Sequence, residues 1–405
     1  MTVFMIPWEE FIVVGGFGGL IRFFGYAVLA LALPTVFMGR RIRPPTVFFI
    51  LMGAFLAWNL LTLAWMRDPE IGQTRVLTFL RLGGLVWLIY EFSDEFGDVL
   101  VLLQAYVWGS YFAVAFLFLA PTVMVDAAGS DAKRLTAVGM NHNDLALVLA
   151  LGFGMAYYLV ASGQIKSRVL RAVYWAFCPI SAIAITLTGS RGGVAALFTG
   201  ATFFFVVRTA SRRKRVAFVT LAVIGLVVAL QVVPEATLGR LASTGQEIRG
   251  GTMTGRLNIW AAGLRVFAEN PFLGVGSGMF ALEAEKYLGM RYHSHNTFLA
   301  VLVEGGIVGF ALFMLMGFYV LRLASAMPVR EKNAWRAILL TWAVGSFGLG
   351  WDYRKPTWML LGLIVVSAVH VGTYLQKAPL SRAKRVSAAK PAVLSGGSGC
   401  AAGVR

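Results

Sequence analysis

Apolar runs of membrane-spanning length alternate with short polar turns along most of this 405-residue chain. A helix needs about 20 mainly apolar residues to cross the hydrocarbon core of a bilayer. The pattern therefore predicts an all-α, polytopic membrane protein with about 11 transmembrane helices. They lie at about residues 18–38, 46–66, 76–90, 99–119, 144–160, 172–187, 194–207, 216–233, 298–320, 337–350 and 357–374.

The two ends of the chain differ from this pattern. Residues 1–19 form a short apolar stretch that is rich in Gly, and they carry Glu9 and Glu10 but no Ala-x-Ala site. These features argue against a cleaved signal peptide, so we expect an interfacial or re-entrant segment there. Residues 376–405 are basic and rich in Ala, Ser and Gly, which predicts a disordered tail behind a single transmembrane domain of residues 1–375.

The longest interval without a membrane-length apolar run is residues 234–297, which we call the outer segment. Apolar residues recur at spacings of three and four over residues 257–267, which predicts a short amphipathic helix on the membrane surface. Thr254 is the predicted N-cap of this helix, with Arg256 in its first turn and Trp260 at headgroup depth.

Basic residues give the orientation, because Lys and Arg collect in the turns that stay in the cytoplasm. More than half of the 36 Lys and Arg residues fall in alternate turns and in the tail. The turn at residues 91–98 is acidic, but acidic residues carry little weight in topology. The orientation places the C terminus in the cytoplasm, and it puts the outer segment, Arg191 and the polar loop 141–144 together on the outer face.

Composition agrees with a membrane protein. Hydrophobic residues make up 58% of the chain and charged residues only 14%, against about half and a quarter in soluble domains. The net charge of +17 is explained by the cytoplasmic turns, so we expect no nucleic-acid partner. Cys178 and Cys400 are too far apart in the sequence to indicate a disulfide framework or a zinc site.

Four motifs follow one another on the predicted outer face. They are Gly-Ser-Arg-Gly at residues 189–192, Gly-Arg-x-x-x-Trp at 255–260, Asn-Pro-x-x-Gly-x-Gly at 270–276 and His-Asn-x-x-Leu at 295–299. In their order and their placement relative to the spans, the chain resembles the superfamily of O-antigen ligases and O-antigen polymerases. The resemblance covers residues 141–310 in motif and the whole chain in topology.

The resemblance implies an inverting glycosyltransferase of the bacterial inner membrane that needs no metal ion or cofactor, with its active site facing the periplasm. The implied donor is a glycan on undecaprenyl pyrophosphate. The acceptor is a hydroxyl on lipid A core in a ligase, or on a second lipid-linked glycan in a polymerase. The sequence leaves these two open, so the product is lipopolysaccharide or another surface polysaccharide.

Arg191 and Arg256 are the candidate catalytic cations. Negative charge builds up on the pyrophosphate as the sugar leaves, and a guanidinium binds phosphate through two prongs without losing its charge. Arg191 lies in a turn between two spans, and Arg256 lies where free backbone N–H groups of a helix also favour an anion. The alternatives are a snorkelling arginine and a solvated arginine, respectively.

His295 is the candidate general base. An acceptor hydroxyl attacks poorly unless a base removes its proton, and histidine does this near neutral pH. The chain has four histidines, two of which lie in the outer segment, and His295 matches the catalytic histidine of the family. His293 orients His295, binds sugar or has no role, while Asn296, beside His295, is a further candidate for substrate binding.

Three more arginines are candidates for substrate binding. Arg265 and Arg291 belong to the outer segment and add positive charge there. Arg81, within or near the membrane, reaches the pyrophosphate from below or pairs with Glu304. The acidic residues of the outer face are scattered and include no Asp-x-Asp pair. We therefore expect arginines, and not a metal ion, to neutralise the charge of the pyrophosphate.

Two other classes of function remain to be compared. A secondary transporter predicts internal repeats and a central cavity near Arg81 and Glu304, whereas a scaffold or flippase partner has no need of the Arg and His set. An enzyme instead predicts that Arg191, Arg256 and His295 meet at one cavity open to the outer face.

Overall fold

The structure, a computed structural model, describes residues 1–14, 18–39, 42–124, 134–137, 139–206 and 255–388, together with residues 216, 220 and 239. Apart from those three positions, the predicted eighth span, the first third of the outer segment and residues 389–405 lie outside the described residues.

Helices account for nearly all of the described chain. Those before the outer segment are α1 (Thr2–Met5), α2 (Leu20–Gly39), α3 (Val47–Leu61), α4 (Pro69–Phe92), α5 (Phe96–Leu119), α6 (His142–Ser162), α7 (Arg168–Leu187) and α8 (Arg191–Val206). Those from residue 255 onward are α9 (Arg256–Glu269), α10 (Phe280–Leu288), α11 (Thr297–Ala326), α12 (Val329–Ser346) and α13 (Lys355–Ala388). Turns of 3₁₀ helix follow α1 and α3 at Ile6–Trp8 and Thr62–Ala64.

Two small antiparallel hairpins depart from the all-α prediction. Strands β1 (Val13–Val14) and β2 (Gly18–Gly19) form the first. Strands β3 (Pro121–Met124) and β4 (Arg134–Ala137) form the second, between α5 and α6. Both are local ladders between neighbouring stretches of chain, so they do not alter the helical architecture.

Five helices are long and apolar enough to cross a membrane within the described residues. They are α3 with its 3₁₀ turn, α5, α6, α7 and α11. Shorter apolar stretches lie at Phe23–Ala32 and Lys355–Val371. The predicted class of helical membrane protein is confirmed, whereas the number of about 11 spans stays a prediction.

One predicted boundary is corrected by α13. This helix continues to Ala388, so residues 376–388 are helical where the sequence pattern predicted a disordered tail. The stretch contains Gln, Ala, Leu, Lys and Arg, which are among the better helix formers. Its composition therefore extends the preceding helix instead of ending it at residue 375.

Helix α6 lies at the centre of the bundle. Every residue of α6 except Asn143 is buried, and the helix packs against α5, α7, α8 and α12. Contacts with these four helices bury α6 on all sides, so it is the central helix of the described bundle. Its first turn lies among the ends of its neighbours.

The outer segment has a small core of its own. Its buried side chains come from α9, α10 and the start of α11, with Met66 added from the turn after α3; they include Ile259, Val266, Met279, Phe280 and Val303. Gly263 of α9 lies so close to Phe280 that a Cβ there would come within 2.7 Å of the ring. This packing joins α9, which carries Arg256, to the beginning of α11.

A glycine-rich loop, residues 271–276, fastens the outer segment to α11. Helix α11 is broken at Gly306, whose φ of 62° and ψ of −167° are not helical. The amide of Val275 donates to the Val303 carbonyl at 3.0 Å, and Ile307 donates to the carbonyl of Pro271 at 2.8 Å. Backbone groups released by the break are thus satisfied by the loop, as the membrane environment requires. The loop at residues 271–276 is therefore a backbone clamp on α11.

The N-terminal segment is packed into the bundle as well. Met5, Ile6 and Trp8 are buried, and the segment contacts α5, where the Trp8 and Phe112 rings lie 4.7 Å apart. This packing carries Glu9, directly after the 3₁₀ turn, to the end of the bundle where α13 begins.

Candidate active site

His295 stands directly before α11 in a strained backbone conformation. Its φ is 45°, and among the described residues it is the only non-glycine residue with a positive φ. Such a conformation costs about 1–3 kcal/mol and persists where the surrounding structure imposes it, often at functional sites. The next residue, Asn296, caps α11 through its Oδ1, which accepts from the Leu299 amide at 3.0 Å.

Contacts on both sides impose this conformation. Trp260 of α9 donates from Nε1 to the Ser294 carbonyl at 3.0 Å. Thr297 donates from Oγ1 to the Leu349 carbonyl at 2.7 Å and accepts from the Trp351 amide, also at 2.7 Å. The loop around His295 is therefore held between α9 and the loop that precedes α13.

Arg256 is the first residue of α9, as predicted. The N-cap is Gly255, with φ of 80°, and not the predicted Thr254; the cap position in this left-handed conformation favours glycine. The N–H groups of the first helical turn lie beside the start of the Arg256 side chain, so two sources of positive potential coincide.

Arg256 lines a small open cleft between the ends of four helices. The starts of α6, α8 and α9 and the end of α12 supply the walls, which are Asn143, Leu147, Ser190, Gly192, Gly193, Arg256, Gly345, Gly348 and Leu349. A Cβ at Gly348 would lie 3.1 Å from Arg256 Nη1. Glycine at that position consequently gives the guanidinium room inside the cleft.

Arg191, the first residue of α8, lies between two residues of the cleft wall, Ser190 and Gly192. Ser190 Oγ donates to Asn143 Oδ1 at 2.7 Å, which joins the start of α8 to the start of α6. Gly192 faces open space, with no atom within 4 Å of its missing side chain. The turn predicted from Gly-Ser-Arg-Gly is thus a fixed part of the cleft.

His295 lies close enough to Arg256 for the two charges to interact. Burial is the main reason that the pKa of His295 is lowered from 6.5 to about 4; Arg256 and then His293 lower it too, while Asp144 opposes the shift. The imidazole is therefore neutral at physiological pH and has a lone pair to accept a proton. The three predicted catalytic residues thus meet at one end of the bundle, around the cleft and the adjoining His295 loop.

Two predicted binding residues lie on the outer surface. His293 is exposed. Arg291 is also exposed, and its Nε donates to Glu285 Oε2 at 2.9 Å. These side chains face solvent near the His295 loop and are not part of the cleft wall.

Two other predicted arginines stack on tyrosines. Arg265 is exposed at the far end of α9, with its guanidinium 5.5 Å from the centre of the Tyr287 ring. Arg81 is exposed on α4 and lies 5.5 Å from the centre of the Tyr26 ring. Neither residue is among those that line the cleft.

Glu304 makes a different contact from the predicted pairing with Arg81. Its carboxylate accepts from the amides of Gly278 at 2.8 Å and Phe280 at 3.4 Å. Arg75 packs on the same glycine, where a Cβ would lie 3.3 Å from that of Arg75. The pairing hypothesis is therefore wrong, because Glu304 binds the outer segment and Arg81 binds a tyrosine of α2.

The donor set of the site fits an anion better than a metal ion. Among the described residues, no group of three or more His, Cys, Asp or Glu side chains is arranged to hold a metal. The cleft is lined by one arginine, two short polar side chains, four glycines and two leucines, and of these the arginine and the polar side chains suit phosphate oxygens.

Comparison with known proteins finds a matching family model for part of the chain. The family model described as O-antigen ligase matches residues 175–314. The predicted resemblance to the O-antigen ligases is confirmed. The matched part of the chain includes Arg191, Arg256 and His295.

Individual proteins are also similar to this chain. The exopolysaccharide production protein ExoQ of Rhizobium meliloti is 23% identical over 315 residues, covering 73% of this chain and 70% of ExoQ. An O-antigen ligase of Pseudomonas aeruginosa is 25% identical over 377 residues, covering 83% of this chain and 81% of that protein. A solved chain described as "Structural coordination of polymerization and crosslinking by a peptidoglycan synthase complex" has a TM-score of 0.43 and 18% identity, covering 80% of this chain and 96% of that chain.

A second set of residues supports the His295 loop from outside the region that the family model matches, and sequence reasoning missed it. Asp144 Oδ1 accepts from Trp351 Nε1 at 2.7 Å, and Asp144 Oδ2 accepts from Arg354 Nη2 at 3.1 Å. Arg354 also forms an ion pair with Glu10. Polar residues in three outer loops were the available signal, but no sequence spacing joins residues so far apart in the chain.

Proposed function

We propose that this protein is a membrane glycosyltransferase of the O-antigen ligase type, which moves a glycan from undecaprenyl pyrophosphate to an acceptor hydroxyl at the outer face of the inner membrane. The observation that carries the proposal is the meeting of Arg256 with the strained, neutral His295 beside a cleft built from helix N-termini. The family match over residues 175–314 supports the same activity.

In this proposal the cleft binds the pyrophosphate of the donor. Arg256 lies in the wall, and Arg191, which lies between two wall residues, is proposed to reach the same anion. The N-termini of α6, α8 and α9 add partial positive charge at the same place. Fixed cations and dipoles aimed at developing negative charge usually contribute more to the rate than any other single effect.

His295 then acts on the acceptor. Its neutral imidazole takes the hydroxyl proton while the acceptor oxygen forms a bond to the anomeric carbon of the donor sugar. The bond from that carbon to the phosphate oxygen breaks, and undecaprenyl pyrophosphate leaves with the bonding electrons. Attack opposite the leaving group inverts the anomeric centre, which makes inversion part of the proposal.

Donor binding strengthens the base. A free-enzyme pKa of about 4 makes His295 a weak proton acceptor, and the positive charge of Arg256 is one of the causes. A bound pyrophosphate offsets that charge, so the pKa of His295 rises towards neutrality once the donor is in place. The base is therefore activated by the substrate whose transfer it assists.

The remaining predicted residues have smaller parts in the proposal. Asn296 positions His295 by capping α11. His293 and Arg291, both exposed next to His295, are placed to meet the acceptor glycan, and Arg265 and Arg81 lie farther out. The donor tail and the apolar helices share the lipid bilayer, with the C terminus proposed to lie in the cytoplasm.

Metal independence is also part of the proposal, because arginines supply the charge that Mg²⁺ supplies in many enzymes that act on pyrophosphates. Purified protein with bound donor should transfer its glycan in excess EDTA. Activity that disappears and returns with Mg²⁺ or Mn²⁺ would contradict this part.

The choice of acceptor gives the second candidate, a polymerase of the same superfamily. One relative is an exopolysaccharide production protein and another is an O-antigen ligase, which favours neither acceptor. A deletion strain tests the two: accumulated free polymer supports a ligase, and loss of all long glycan supports a polymerase. The transporter alternative is disfavoured because Arg81 and Glu304 do not meet.

The proposed activity is tested by transfer with purified protein in nanodiscs, a lipid-pyrophosphate glycan donor and either acceptor. Labelled donor should give a product whose new glycosidic bond has the inverted configuration. Wild-type protein that transfers to neither acceptor would overturn the proposal.

A further inference from the structure

The loop between α12 and α13 packs against the His295 loop. Besides the two hydrogen bonds at Thr297, Gly350 packs beside Ser294, where a Cβ would lie 3.6 Å from Ser294 Oγ. Trp351, the residue that follows, is 1% exposed. The position of His295 thus depends on where Trp351 is held.

Asp144 holds Trp351. Its two carboxylate oxygens accept from the Trp351 indole at 2.7 Å and from Arg354 at 3.1 Å, and the residue is only 7% exposed. Asp144 belongs to the first turn of α6, directly after Asn143, which binds Ser190 of the cleft wall. One turn of the central helix therefore connects the cleft wall to the support of His295.

The N-terminal segment adds two ion pairs to the contacts around Asp144. Glu10 pairs with Arg354 and Glu9 pairs with Lys355. Two adjacent basic residues at the start of α13 are thus bound by two adjacent acidic residues near the start of the chain. Arg354 is held between Glu10 and Asp144, which keeps its charge paired away from the cleft.

Asp144 also acts on His295 through its charge. The charged groups that influence His295 are Arg256 from α9, His293 on the same loop and Asp144 from α6, and Asp144 is the one that favours the protonated ring. Its charge is shared with Arg354, and Glu10 lies behind that arginine. The remaining negative potential favours an imidazolium over a neutral imidazole.

We propose that Asp144 is a positioning residue for glycan transfer. Through Trp351 and Thr297 it fixes the strained backbone at His295, and its charge stabilises the imidazolium that forms when His295 takes the acceptor proton. The inference rests on the proposed function and assigns a role to a residue outside the matched family region.

The test compares Asp144→Asn with wild type in single-turnover transfer at saturating lipid-pyrophosphate donor, measured across pH. Asparagine keeps an acceptor for the Trp351 indole but removes the charge. We expect the transfer rate to fall by about 10- to 100-fold, as misplacement of a catalytic group does, while donor affinity stays within about twofold. The acid limb of the rate profile should move to lower pH, because the imidazolium loses its stabilising charge.

Trp351→Phe tests the same chain of contacts from the other side. It removes the indole donor and leaves the Asp144 charge, so the rate should fall without the displacement of the acid limb. Asp144→Glu should restore part of the rate and the original limb. Glu269→Gln is the matched control, because it removes an exposed carboxylate that pairs with Lys286 and should leave both readouts unchanged.

The inference fails if Asp144→Asn keeps the wild-type rate and acid limb, or if it weakens donor binding without slowing transfer. If Asp144→Asn does not fold, an unchanged rate in Trp351→Phe overturns the inference. A wild-type rate in His295→Ala would instead overturn the proposed function, so the two failures are distinguishable.

Discussion

The two faces of the outer segment carry similar residues in different surroundings. Arg256 and Arg265 lie on one helix, but nine residues at about 100° each put them on opposite sides of it. Arg256 lines the cleft, whereas Arg265 is exposed beside Tyr287. His295 is held in a strained loop near Arg256, and His293, two residues earlier, faces solvent. Residue type and sequence distance are shared, so the difference in function must come from burial and fixed geometry.

The largest expected effect separates the two histidines. His295→Ala should slow glycan transfer by about 10²- to 10⁴-fold, the usual contribution of a general base. His293→Ala should slow it by no more than a few-fold, because the side chain is exposed. Initial rates in nanodiscs measure both, with folding checked by thermal unfolding. Equal losses of transfer rate in the two variants would contradict the different roles assigned to the buried and the exposed histidine.

The next effect separates the two arginines of α9. Arg256→Ala should reduce transfer by about 10²- to 10³-fold, as the loss of one preorganised cationic or hydrogen-bonding group does. Arg256→Lys should recover only part of this, because a lysine cannot make the two-pronged phosphate contact. At Arg191 we likewise expect the alanine variant to lose more of the transfer rate than the lysine variant. The measurement is the transfer rate at several donor concentrations. Wild-type rates in both lysine variants would refute the role of these arginines in binding phosphate.

Arg265→Ala is the comparison within the same helix. Its guanidinium is exposed and contacts a tyrosine ring, so we expect transfer to change by less than about threefold, in keeping with the small worth of exposed charges. The same rate measurement applies. A loss as large as that of Arg256→Ala would mean that the donor extends along α9 beyond the cleft.

Stability should depend on pH through His295. Its pKa is about 4 in the folded protein against 6.5 for an unperturbed histidine. As pH falls below about 6.5, the unfolded chain takes up a proton that the folded protein does not, so stability is lost until about pH 4. Thermal unfolding in detergent should therefore be less sensitive to pH over this window in His295→Gln. An identical pH dependence in that variant would contradict the burial of the imidazole.

The smallest effect is expected on the solvent face. Glu269 accepts from both Lys286 and Tyr287, and these contacts lower the pKa of its carboxyl although the group is fully exposed. Solvent screens such pairs, so Lys286→Met should hardly change the unfolding temperature or the transfer rate. A large drop in either quantity would show that this surface is covered in the working protein.

The sequence predicts several of the helices, for physical reasons. Apolar runs mark α5, α6 and α11 because the bilayer imposes their length, and the period of the apolar face of α9 places Arg256 in its first turn. The start of α8 is less well predicted, because this helix begins at Arg191, three residues before the predicted span.

The support of the site could not be predicted in the same way. Asp144, Trp351 and Glu10 come from three loops far apart in the chain, and local pattern does not encode which loops meet. The break at Gly306 was also missed, because it depends on a partner loop that fills it. An apolar run containing Gly-Gly looks like an ordinary span until the Pro271 carbonyl is seen bound to Ile307.

The most direct test of the proposed mechanism measures donor binding and single-turnover transfer on the same preparations of wild type, Arg256→Ala and His295→Ala. We predict that Arg256→Ala binds the lipid-pyrophosphate donor at least about tenfold more weakly, because it loses a charge-assisted phosphate contact. His295→Ala should bind the donor within about twofold of wild type yet transfer its glycan about 10²- to 10⁴-fold more slowly. Two results for His295→Ala would contradict the proposal that Arg256 binds the donor and His295 acts as the base: near wild-type transfer, or a loss of donor binding as large as that of Arg256→Ala.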